Sequence, residues 1–154
     1  MSERFKNASA VFPVLLRTAD ETEQVLLHLR AGTGYMDGWW DFAGSGHVEA
    51  GETASQAVCR ECAEEIGVAV RPENTRFLHV THRLGRLTYY DFYFQVCVWA
   101  GEPQINEPDK CADLKWFALD QLPQNMIPQR RFALERWRSG APYSEIIESE
   151  EETL

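Results

Sequence analysis

The chain has 154 residues, 44% hydrophobic and 25% charged, an ordinary balance for one compact domain and too short for two good cores. A formal net charge of −9 argues against non-specific binding to nucleic acid or to an anionic membrane surface. No apolar run approaches membrane-spanning length and residues 1–10 lack the apolar centre of a signal peptide, so a cytoplasmic protein without nucleic-acid or membrane partners is expected.

Residues 10–17 and 24–30 are rich in strand formers and are separated by the turn-like Ala19, Asp20 and Glu21, which predicts a hairpin. A glycine-bearing loop follows over 31–38, and Trp39, Trp40, Asp41 and Phe42 begin another strand. Thr53 followed by Gln56 has the pattern of a capping box, and Gly67 is a natural left-handed stop, so a helix is predicted over 54–66. Residues 75–82 and 87–99 read as strands on either side of Gly85. A polar loop with two prolines covers 101–110, and residues 114–118 form a further short strand. A second helix is expected over 127–138, with Phe132, Leu134 and Trp137 as its apolar residues. The domain is expected to occupy residues 1–144, leaving 145–154 as a flexible acidic tail, because residues 145–152 carry five glutamates. Strands mixed with two helices give an α+β fold or an α/β/α sandwich.

Cys59 and Cys62 form a C-x-x-C pair, but both fall inside the first predicted helix, while Cys97 and Cys111 stand alone. Zinc needs four placed ligands, and no matching second pair exists, so reduced structural thiols are expected.

The same helix concentrates acid. At about 100° per residue, Glu61, Glu64 and Glu65 fall within an arc of about 100°. Like charges so placed destabilise a bare helix. A hard divalent cation with oxygen ligands converts that repulsion into binding, and Mg²⁺ takes a few carboxylates together with phosphate oxygens. A solvated acidic face is the bland alternative. It is the weaker one, because Gly46, Glu52, Arg60 and Gly67 also stand at fixed offsets from these glutamates.

Those offsets match the Nudix box, G-x5-E-x7-R-E-U-x-E-E-x-G-U with U a bulky apolar residue, over residues 46–68. With all seven single-letter positions filled, chance accounts for on the order of one match in a billion per starting position. The chain thus resembles the Nudix hydrolases, which cleave the diphosphate linkage of a nucleoside diphosphate joined to another group. The resemblance implies the Nudix fold, a mixed sheet between helices. It also implies that Glu52 and Arg60 pair to hold the catalytic glutamates. Gly46 would offer its carbonyl to a metal, alongside Glu61, Glu64 and Glu65 as carboxylate ligands. Val58 and Ile66 should pack the helix on the sheet, and Cys62 fills a position where relatives carry an aliphatic residue. Upstream, Phe42-Ala43-Gly44-Ser45-Gly46 lacks the proline of the Pro-Gly-Gly step found in many relatives, so a longer turn is expected there.

Further site residues follow from the same resemblance. Glu107 lies in the loop where several relatives place an extra metal-binding glutamate. Arg30, at the end of the second strand, and His47, within the box, are candidates for the substrate phosphates. Tyr35, Trp39 and Trp40 are candidates to stack on a base, although strand alternation puts at least one of the two tryptophans in the core. The implied activity is Mg²⁺-dependent pyrophosphohydrolysis by water attack on phosphorus, with Mn²⁺ able to substitute and Glu61 the candidate base, Glu64 next. Residues 116–123 resemble a stretch of the mammalian-type oxidised-purine nucleotide hydrolases, but Gln129 and Arg130 stand where those carry base-reading aspartates. A nucleoside triphosphate-type substrate is the expectation, with ADP-ribose or a nucleotide sugar as the alternative. The expected partner is a small nucleotide, and a homodimer stays open. Isoprenoid-diphosphate isomerisation and a non-catalytic nucleotide sensor are the readings from other classes. Intact box glutamates and the lack of room for a DNA-binding domain weigh against the sensor.

Overall fold

A computed structural model describes residues 3–149 of the chain. It opens on the predicted hairpin, strand β1 at Ala8–Ala19 and strand β2 at Thr22–Arg30. Asp20 and Glu21 between them take positive φ values of 51° and 62°, the left-handed pair that matches the twist of adjoining antiparallel strands. Strands β3 at Trp40–Phe42 and β4 at Gly46–His47 lead into helix α1 at Ala54–Ile66. Strands β5 at Thr75–Leu84, β6 at Tyr89–Val96 and β7 at Cys111–Ala118 follow, then helix α2 at Pro128–Arg138 and strand β8 at Tyr143–Ile147.

The sheet runs β3-β2-β1-β6-β5-β8, with β4 pairing β1 and β7 pairing β2. Pairs β1–β6 and β5–β8 are parallel and the others antiparallel, which makes the sheet mixed. Strand β1 is buried on both faces, hence its near-continuous apolar run. Val11 and Leu15 pack under α1 with Val58, Cys62 and Ile66. Phe12, Val14 and Leu16 point the other way, into the cluster that holds Ala133 and Leu134 of α2. This is the expected α/β/α sandwich.

Several expectations need correction. Of the three apolar residues expected on α2, Leu134 is buried and Trp137 packs against the same cluster, whereas Phe132 is exposed; α2 also buries Arg130 and Ala133. Strand β6 stops at Val96 rather than 99, because Cys97 and Val98 turn out to solvent. The acidic tail does not begin at 145. Residues 143–147 pair in parallel with β5, and the Ser144 hydroxyl lies 2.7 Å from Nε2 of His79 and 2.9 Å from the hydroxyl of Thr81. Exposure alternates along the strand, with Tyr143, Glu145 and Ile147 outward and Ser144 inward, which a count of charges does not reveal. Residues 150–154 of that segment lie outside the described residues. The four cysteines are free thiols, and burial pushes the Cys62 thiol up. Among the described residues no helix is long and apolar enough to cross a membrane.

Candidate active site

Helix α1 begins on the predicted capping box: Thr53 accepts from the backbone of Gln56, and the Gln56 side chain accepts from the backbone of Thr53. Gly67 closes it with φ of 68°, its N–H donating to the carbonyl of Cys62. With both ends fixed and Val58, Cys62 and Ile66 seated on the sheet, the opposite face presents Arg60, Glu61, Glu64 and Glu65 toward the loop that enters the helix.

Arg60 organises this face. Its Nε and Nη2 donate to the two carboxylate oxygens of Glu52 at 3.1 and 2.7 Å, a bidentate pair. Nη2 also donates to the carbonyl of His47 at 2.9 Å, and Nη1 to Glu61 at 2.8 Å and Glu64 at 3.2 Å. The Glu49 backbone N–H completes the Glu52 shell at 2.9 Å. The hydrogen bonds from Arg60 and Glu49 hold the Glu52 carboxyl below its ordinary range, and those from Glu52 and Glu61 raise Arg60 above its own. Gly46 closes against the helix here, since a Cβ on it would overlap the Glu61 carboxyl group. A side chain at 46 and a carboxylate at 61 exclude each other.

Glu61 and Glu65 differ from exposed glutamates. Burial raises Glu61 in spite of Arg60 beside it. Glu65 is pushed up to about 8, first by burial and then by the charges of Glu61 and Glu107. Hard oxygen donors with unneutralised negative charge are what a divalent cation offsets, so the donor set suits Mg²⁺ or Mn²⁺. Among the described residues no three such side chains enclose a cation as they stand. Arg60 holds Glu61 and Glu64 by their carboxylates. Glu107 faces Glu65, Arg30 and Lys110 across a small cavity of about 90 Å³.

From Gly46 and Glu65 a cleft of about 560 Å³ runs away from the helix. Arg30, Tyr35 and His47, three of the residues singled out from the sequence, line it. Arg30 is held by the Tyr35 carbonyl and the Thr33 hydroxyl at 2.8 and 3.1 Å, and His47 lies 3.3 Å from the Tyr89 hydroxyl. Trp40 does not line it. The indole is in the core, edge-on to Phe117 at 4.8 Å, and Trp39 is absent from the cleft wall as well.

The far end of the cleft holds a network of charged residues that, Arg30 apart, the sequence motif does not assign to the site. Arg130 of α2 donates through Nε to Asp41 at 3.2 Å, and through Nη1 to Asp91 at 3.4 Å and to the Tyr93 hydroxyl at 3.2 Å. Its guanidinium carbon sits 3.6 Å from the centre of the Phe12 ring. Arg83 forks onto Asp91 at 2.9 and 3.3 Å and reaches Glu148 at 3.6 Å, stacked over Tyr89. Arg30 joins the other end through Asp41 at 3.7 Å. Charges alternate along the row Arg30, Asp41, Arg130, Asp91, Arg83, Glu148. Asp91 is fully buried, which charges tolerate only when paired. The available signal was an aspartate inside the aromatic run Tyr89-Tyr90-Asp91-Phe92-Tyr93-Phe94.

A family model described as NUDIX domain matches residues 7–137, so the chain belongs to the Nudix family, whose members hydrolyse pyrophosphate bonds and generally use divalent metal ions. The chain is 29% identical over 132 residues to a putative 8-oxo-dGTP diphosphatase of Bacillus subtilis, across 79% of this chain and 76% of that protein. It is 33% identical over 90 residues to the NAD-capped RNA hydrolase NudC of Stutzerimonas stutzeri, across 56% of this chain and only 29% of that protein. Among solved structures, a MutT NUDIX hydrolase from Burkholderia pseudomallei superimposes with a TM-score of 0.74 at 29% identity, covering 85% of this chain and 98% of that one.

Proposed function

We propose that this protein is a Mg²⁺-dependent pyrophosphohydrolase acting on nucleoside triphosphates. One observation carries the reading: the Arg60-centred cluster opens at Glu65 and Gly46 into a cleft of about 560 Å³ with Tyr35 and His47 on its walls. Gly46, Glu61, Glu64, Glu65 and Glu107 are the residues that would hold the metal, which supplies charge neutralisation to the phosphates. Arg30 and His47 hold the phosphate chain, and the aromatic walls take the base.

In the reaction a water oxygen attacks one phosphorus atom in line with the bridging oxygen. The new P–O bond forms as the bridging P–O bond breaks, and the electron pair leaves with the departing phosphate. Glu61 accepts the water proton; burial has already raised its carboxyl, which suits a proton acceptor. Glu52 and Arg60 keep Glu61 in place. The alternative substrates, ADP-ribose and nucleotide sugars, share the diphosphate but carry a second sugar.

The test is a panel of nucleoside triphosphates, nucleotide sugars and dinucleotides with Mg²⁺, products resolved by chromatography. Triphosphates should yield a monophosphate and pyrophosphate. Turnover confined to the sugar-linked diphosphates would move the substrate to the alternative. Turnover of none, with tight binding of one, would make the protein a nucleotide sensor.

A further inference from the structure

We infer that His28 supplies a nitrogen ligand at the Glu65–Glu107 end of the metal site, so that a first-row transition ion such as Mn²⁺ or Co²⁺ binds there in preference to Mg²⁺. The inference rests on the proposed metal-holding role of those two glutamates and adds the residue that decides between ions.

Three observations carry it. First, His28 interrupts the apolar run Val25-Leu26-Leu27 of β2, is only 7% exposed, and among the described residues makes no side-chain hydrogen bond. The other buried histidine is different. His79 lies 2.8 Å through Nδ1 from the Ala141 carbonyl and 2.7 Å through Nε2 from the Ser144 hydroxyl. Burying an imidazole without partners is unfavourable, so the unpaired nitrogens of His28 call for a ligand. Those nitrogens are not sealed off, because among the described residues the one enclosed side-chain polar atom without a partner is Oε1 of Gln129. The space that His28 lines is the small cavity of about 90 Å³.

Second, Glu65 and Glu107 line the same cavity, and among the described residues neither carboxylate accepts a hydrogen bond or joins an ion pair. The neighbouring groups are directed elsewhere. Arg30 turns its three nitrogens to Tyr35, Thr33 and Asp41, Lys110 is exposed, and the Cys111 thiol donates to the Asp113 carbonyl at 3.1 Å. Third, the cavity is too small for a base or a sugar, whose pockets run to about 300 Å³ or more. Two carboxylates repel an anion. A cation with a few waters fits the remaining chemistry. As they stand these side chains do not enclose one, so Glu65 and Glu107 must turn about their own bonds to complete the shell.

One nitrogen among oxygens changes which ion is preferred. Mg²⁺ takes oxygen ligands and gives up its waters reluctantly. Imidazole suits first-row transition ions, whose affinity for such a site rises from Mn²⁺ through Co²⁺.

The experiment strips the full chain of metal by chelation and loads it with one equivalent of Mn²⁺. Electron spin-echo spectra are read for modulation by a bound nitrogen. Kd of Mn²⁺ is measured from the free-ion resonance and Kd of Mg²⁺ by competition, for the wild-type chain and His28→Gln, which offers an amide oxygen instead. Nitrogen modulation should be present in the wild type and absent from His28→Gln, with Kd of Mn²⁺ rising about 10- to 100-fold and Kd of Mg²⁺ nearly unchanged. No modulation in the wild type, modulation that persists in His28→Gln, or Mn²⁺ and Mg²⁺ affinities that fall together overturns the inference. Should His28→Gln fail to fold, His47→Gln decides, because His47 is the other histidine beside the glutamate cluster. Modulation that survives His47→Gln supports His28, and modulation lost with it overturns the inference. Hydrolysis of nucleoside triphosphates is followed on the same preparations. Hydrolysis without a nitrogen ligand removes the inference and leaves the proposed function. A nitrogen ligand from His28 without hydrolysis does the reverse, and the absence of both removes both.

Discussion

Two arginines organise this molecule, and their surroundings differ in kind. Arg60 sits on the face of α1 with Glu52, Glu61 and Glu64, in a cluster that begins within one short segment and is half-buried, with the Glu64 side chain exposed at its rim. Arg130 sits at the end of the cleft with Asp41 and Asp91, contributed by α2, β3 and β6, all of them nearly dry. The rim of the Arg60 cluster is cheap to alter in stability, because an exposed ion pair such as Arg60–Glu64 contributes about 0–1 kcal/mol. The buried one is not. Removing one member leaves a charge without a partner in low dielectric, which costs about 3–5 kcal/mol. Substitutions should therefore separate the two regions: activity falls at the first with the fold intact, and the fold weakens at the second.

The largest effect is expected at Glu61. Glu61→Gln should lower kcat by about 10²–10⁴-fold while KM and the thermal midpoint stay near wild type. Near-normal turnover at saturating Mg²⁺ would move the base to Glu64. Next comes Arg130→Met, which strands Asp41 and Asp91. Urea unfolding should lose about 3–5 kcal/mol, and a loss below about 1 kcal/mol would mean that the network is solvated after all. Glu148→Gln removes the last charge in the row while keeping its shape. Its cost should be about 1–3 kcal/mol by the same measurement, with kcat unchanged if the network takes no part in the chemistry. The smallest effect belongs to Glu107→Gln. Its thermal midpoint should not move, and the Mg²⁺ concentration for half-maximal rate should rise severalfold if the carboxylate holds metal. An identical Mg²⁺ titration would leave Glu107 a loop acid.

The same contrast decides what could be read from the chain. Helix α1 and the Arg60 cluster were legible because a helix converts sequence spacing directly into spatial neighbours; Arg60 and Glu64 meet at the four-residue spacing. The hairpin was legible for a similar reason, since local turn chemistry makes β1 and β2 adjoin; the mixed sheet was implied only by the family resemblance, because its parallel pairs β1–β6 and β5–β8 join strands far apart in the chain. The Arg130 network has no such rule. Asp41, Asp91, Arg130 and Glu148 come from separate elements, and only the packed sheet brings them together. Charge counting also misled. The glutamates at 145 and 148 look alike in sequence, yet Glu145 points to solvent from β8 and Glu148 is buried against Arg83. Trp39 and Trp40 invited a stacking role because aromatic side chains suit both bases and cores, and composition does not say which. The register of β3 against β2 decides, setting Trp40 opposite Leu29 and over Phe117.

Strand β8 has a consequence for biosynthesis. A ribosome delivers the chain from its N-terminus, so α1 with its whole glutamate cluster emerges long before residues 143–148. Until they arrive, β5 has no neighbour on its outer edge, the hydroxyl that bridges His79 and Thr81 is missing, and Arg83 lacks one of its two carboxylates. A nascent chain, or one cut short by a stop codon after α2, thus carries every residue of the box and an unfinished end to the cleft. A truncated product of this gene would be recognised as family by its motif and still lack part of the cleft wall.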